Sequence, residues 1–108
     1  MPYYLVQLSY THEAWAALVE NPQNRIEAVR PAIEQLGGAL HDAWIAFGEY
    51  DVVAIFEMPD NVRQAAISMA FVAAGAAKAV KTTPLMTWEE GVEAMRTAAE
   101  TVYRPPSR

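Results

Sequence analysis

Tyr3-Tyr4-Leu5-Val6-Gln7-Leu8-Ser9-Tyr10 sets a bulky side chain at every even position, while its odd positions pass from Tyr3 and Leu5 to Gln7 and Ser9. A period of two in aromatic and β-favouring residues predicts a strand. Its even side belongs under helices and its odd side faces something wetter. Thr11 can cap a short helix to Val19, with Ala14, Trp15 and Leu18 along one side, before Asn21-Pro22 breaks it. A longer helix then runs to about Leu36, with Ile26, Val29, Ile33 and Leu36 spaced three, four and three apart. Pro31 lies inside it, deletes the bond to the residue 27 carbonyl and predicts a kink. Gly37-Gly38 ends it as a C-cap.

Residues 39–47 predict a second strand, with Ala43, Ile45 and Phe47 on one parity and Asp42 and Trp44 on the other. His41 shares the helix-facing parity. A third strand over 50–58 alternates Asp51, Val53, Ile55 and Glu57 against Tyr50, Val52, Ala54 and Phe56, which puts Tyr50 under a helix. Between the two, Gly48 supplies the φ > 0 of a tight hairpin turn and Asp51 a carboxylate for nearby backbone. Pro59 stops the third strand, and Asp60 caps a helix over 61–74 that has almost no polar face. Such a helix needs cover on more than one side, from another chain or from the C-terminal helix. Gly75 closes it, a fourth strand spans 78–86, and Pro84 places that strand at a sheet edge. Thr87-Trp88-Glu89-Glu90 is a capping box for a last helix to about Tyr103, after which residues 104–108 read as a frayed tail.

The order β-α-β-β-α-β plus a C-terminal helix predicts an α+β, ferredoxin-like domain over residues 1–108, a four-stranded antiparallel sheet with helices on one face. The other face would carry Leu5, Trp44, Val53 and Ile55, too much apolar surface to leave in water. Two such sheets packed face to face bury it, and its polar members then line a shared cavity.

Several strings resemble the GYD family of small bacterial proteins: Leu36-Gly37-Gly38-Ala39-Leu40, Gly48-Glu49-Tyr50-Asp51-Val52-Val53, Glu57-Met58-Pro59-Asp60 and the capping box. That family is similar to the dimeric α+β barrel superfamily, whose members pair sheets in this way. The superfamily includes cofactor-independent monooxygenases, haem enzymes, EthD-like proteins and amino-acid-sensing domains. The resemblance implies a fold and a homodimer; it brings no catalytic set with it.

Composition narrows the chemistry further. The chain has 108 residues, no cysteine and a net charge of −5 with its eight Lys and Arg scattered, which argues against nucleic acid as a partner. Without cysteine there is no disulfide framework, thiolate metal site or Cys nucleophile. No secretory signal opens the sequence, and the low-charge run from Gln64 to Ala77 is too short to span a membrane, so a cytoplasmic protein is expected. Five Met, three Trp and five Tyr exceed what one small core needs, which points to an interface or a cavity.

The expected ligand-binding set is Gln7, Ser9, Asp42, Trp44, Asp51 and Glu57, which share the inward parity of neighbouring strands. Carboxylates near an indole in a partly dry cleft can act as acid or base. Against this stand structural roles: Asp51 bonding hairpin backbone, Glu57 pairing with a lysine, Trp44 packing at an interface. His12 and His41 are the only histidines; their strand positions keep them apart, and no ligand-spaced cluster completes a metal or haem site. Removal of Met1 would expose Pro2, an amine base in tautomerases, but the element order does not suit one. No cofactor is expected. The leading reading is a small-molecule-binding dimeric α+β barrel with a mixed-polarity pocket for a small hydrophobic ligand. The alternatives are a cofactor-independent monooxygenase- or isomerase-like enzyme acting on a hydrophobic or aromatic compound, and a purely structural assembly protein.

Overall fold

A computed structural model describes residues 1–107. Its elements are β1 (Tyr3–Tyr10), α1 (His12–Glu20), α2 (Ile26–Gln35), β2 (Ala39–Ile45), β3 (Val52–Glu57), α3 (Asn61–Ala73), β4 (Ala77–Leu85) and α4 (Trp88–Glu100). The four strands form one antiparallel sheet in the order β2-β3-β1-β4, the ferredoxin-like arrangement expected from the sequence. β4 is an edge strand, as Pro84 requires, with that residue opposite Tyr4. The tail shows no regular structure up to Ser107; Arg108 lies outside the described residues.

The even residues of β1 do lie under the helices. Tyr4 and Val6 join Leu40, Ala54, Phe56, Met58, Ile33 and Ile67 in the buried core, with Ile26, Val29 and Phe71 packed around it. Three helix starts are capped as their sequences predict. Thr11 accepts from the Ala14 N–H at 3.1 Å, Asp60 from that of Arg63 at 2.9 Å, and Thr87 and Glu90 form the reciprocal box. Gly37 (φ +84) and Gly75 (φ +79) end α2 and α3 in the left-handed region. α2 begins only at Ile26, so Asn21-Pro22 is followed by an irregular stretch, and the helix continues through Pro31 to Gln35.

Three local expectations fail for stated reasons. Gly48 does not take a positive φ, because β2 stops at Ile45 and β3 starts at Val52, and six connecting residues need no tight turn. Tyr50 therefore lies in that connection, outside the strand parity that would have put it under a helix. Residue 41 falls in a register shift of the β2–β3 ladder, which pairs Leu40 with Phe56 but Asp42 with Ile55. This bulge turns His41 from the helix side toward Glu57, whose carboxylate it reaches at 2.8 Å.

α4 does not return to cover the sheet or α3. All its residues except Gly91 are exposed, and the radius of gyration is 17.5 Å, whereas a compact chain of this length has about 13 Å.

Candidate functional site on the open sheet face

The strand register sets the open face out in rows. One row runs Lys81, Gln7, Val53, Trp44; the next Thr83, Leu5, Ile55, Asp42; the third Leu85, Tyr3, Glu57, Ala39. Leu5, Val53 and Ile55 make an apolar centre. Gln7, Lys81, Thr83, Asp42 and Glu57 surround it, with Trp44 and Tyr3 as aromatic ends. Four of the six expected site residues, Gln7, Asp42, Trp44 and Glu57, thus share this face. They do not converge on one point: strands lie about 4.8 Å apart, so Gln7 and Trp44 are separated by about 10 Å.

Ser9 and Asp51 have a different duty. Ser9 is buried and its hydroxyl donates to the Glu49 carbonyl at 2.9 Å. The Asp51 carboxylate accepts from the Tyr10 backbone N–H at 2.9 Å and from the Trp15 indole N–H at 3.3 Å. Asp51 also donates its own N–H to the Leu8 carbonyl at 2.8 Å, and its carbonyl accepts from the Ala46 N–H at 2.7 Å. Together they pin residues 46–51 across the end of β1. The loop so held rims a hollow of about 370 Å3 lined by Gln7, Val53, Lys81, Phe47, Glu49 and Tyr50. Phe47 is 99% exposed at its lip, an unusual cost for an aromatic side chain in water.

Asp42 and Trp44 also reach a second depression of about 490 Å3, between the β2 edge and the start of α2, where Arg25, Arg30, Leu40 and Tyr10 contribute. Arg30 donates to the Leu40 carbonyl at 3.0 Å. Burial pushes the Tyr10 phenol above its ordinary pKa; the Arg25 charge pulls it back and the Asp51 charge adds to the rise.

At the far end of the open face, His41 is held between the Glu57 carboxylate and the Tyr3 ring, stacked at 4.9 Å. The N-terminal amine lies 3.9 Å from the other Glu57 oxygen. Sequence reasoning missed Lys81 and Thr83 on this face and placed His41 and Tyr50 under the helices. Lys81 was legible from the β4 pattern once Pro84 fixed that strand at an edge beside β1. His41 depended on a bulge, and Tyr50 on the length of a loop.

None of the helices among the described residues is long and apolar enough to cross a membrane. A search of the curated proteins finds no match. Among solved structures, the chain is similar to the crystal structure of TTHA0845 from Thermus thermophilus. The two share 16% identity with a TM-score of 0.51, over 81% of this chain and 95% of that one, a likeness of fold. The model of the GYD domain matches residues 4–95, which reaches all four strands and takes in the Gly48-Glu49-Tyr50-Asp51 signature, and the chain therefore belongs to the GYD domain family.

Proposed function

We propose that this protein binds a small organic molecule of mixed polarity in the hollow bounded by Gln7, Lys81 and the 46–51 loop. In this reading it works as a homodimer or higher homo-oligomer of the dimeric α+β barrel kind. One observation carries the reading: the apolar centre Leu5, Val53 and Ile55 is ringed by polar side chains on a face that the chain's own helices leave uncovered. A second sheet across that face would exclude water from the centre. The ring would then supply the few oriented polar contacts that fix a ligand. Lys81 and Gln7 suit a carboxylate, carbonyl or sulfonate oxygen, and Phe47 and Tyr50 suit a flat apolar body.

Titration with 1-anilinonaphthalene-8-sulfonate, an arylsulfonate that fluoresces in apolar sites, tests this. Saturable binding should weaken about tenfold in Lys81→Gln and in Gln7→Ala and stay unchanged in Lys78→Gln. Binding that ignores the first two substitutions refutes the assignment.

A second reading, turnover of the bound compound without metal or nucleotide, draws on the His41–Glu57 pair. A carboxylate bonded to one imidazole nitrogen orients the ring so that its other nitrogen can move a proton. His41→Asn should abolish turnover while ligand binding survives; retained turnover removes this reading.

A further inference from the structure

The geometry points to a contact between copies of this chain in which α4 of one lies along the outer face of α3 of another. α3 buries Gln64 and Ile67 and packs Phe71 on the sheet side. Its opposite side presents Val62, Ala65, Ala66, Met69, Val72 and Ala73, an unbroken apolar stripe at helical spacing, with Val62 70% and Met69 68% exposed. α4 carries its own stripe of Trp88, Gly91, Val92, Met95 and Ala99, with Trp88 82% and Met95 60% exposed. The two stripes are complementary in size. Alanines on α3 leave a shallow floor between Val62, Met69 and Val72, and Trp88, Val92 and Met95 are the ridges that fill it.

The two helices of one chain do not meet. Only Met86 and Thr87 separate β4 from α4, and the capping box locks the helix start, so α4 leaves the body as a stiff arm. Its other side holds Glu89, Glu90, Glu93 and Glu100 against a lone Arg96, the wrong charge for an anionic lipid surface. A second copy fits better than a foreign protein because each chain supplies both the ridge and the floor. One reciprocal contact then satisfies both, as a two-fold interface does. Each helix has 13 residues, about 20 Å of length. Four such stripes, two in each half of that reciprocal contact, approach the area of about 1,200–2,000 Å2 that a specific interface buries. The contact lies on the side of the sheet away from the open face, so it stands or falls independently of the ligand site.

The chain has no cysteine, so introduced thiols report contacts without background. Met69→Cys and Met95→Cys sit near mid-helix and meet whichever way the helices run. Mixing the two single variants under mild oxidation should give a disulfide between one chain of each type. The double variant should form disulfides between chains. Met95→Glu should weaken association at least about tenfold in light scattering at micromolar concentration. A disulfide within a monomeric double variant, linkage of Met69→Cys chains only to one another, or a mass unmoved by Met95→Glu overturns the inference.

Discussion

Replacing Asp51 with alanine separates a structural role for the signature aspartate from a chemical one. The carboxylate serves two donors, the Tyr10 N–H at 2.9 Å and the Trp15 indole at 3.3 Å. A hydrogen bond to a charged group contributes about 1.5–3 kcal/mol, and the longer indole contact sits at or below the lower end. Partial exposure reduces both, and alanine also leaves the two donors without their acceptor. The net expectation is a loss of about 2 kcal/mol, or about 8 °C in Tm for a domain of this size. Asparagine keeps one acceptor oxygen and should lose about half as much. Urea unfolding followed by circular dichroism and Trp fluorescence measures both variants. An Asp51→Ala protein as stable as the parent, yet without its ligand or its turnover, would refute the structural role, because the carboxylate would then be acting on a bound molecule.

Other expectations follow from the same structure. A Cβ on Gly38 would run into the Glu57 carbonyl oxygen and the Met58 sulfur, with the Ile33 side chain at 3.3 Å, so Gly38→Ala should cost at least about 2 kcal/mol by thermal unfolding. Gln64 is buried with neither amide atom hydrogen-bonded; the near-isosteric Gln64→Met should therefore raise stability by about 1–3 kcal/mol, and a fall would reveal a partner for the amide. The raised Tyr10 pKa means that the folded state holds this proton more tightly than the unfolded one. Stability from this group is complete below about pH 10 and lost as pH climbs through the folded pKa. Unfolding measured across alkaline pH should show that slope, and Tyr10→Phe should remove it.

The residues that carried the fold reading were those whose physics is local. Pro84 could only sit on an edge strand, Thr87 and Glu90 could only open a helix, and the parity of Tyr4, Val6, Ala54 and Phe56 left one side for the helices. The open sheet face was partly legible for the same reason: Gln7, Asp42, Trp44 and Glu57 reached it through strand parity alone. Parity fails where the ladder is irregular. The extra residue in β2 turned His41 around, and early fraying of both strands at the 46–51 loop moved Tyr50 off its face. Ser9 had the right parity and Asp51 lies in the loop itself; both are taken up in holding that loop, since a long connection needs side chains to hold it. The apolar outer stripe of α3 was visible in the sequence; that α4 leaves it bare is a matter of helix direction, which two linking residues do not encode in any readable way.

Native mass spectrometry of the protein purified from its own host bears most directly on the claim that two sheets enclose a ligand site. The expected result is an assembly of an even number of chains with small-molecule mass retained at up to one equivalent per chain, lost on Lys81→Gln. A bare single chain at micromolar concentration would contradict it.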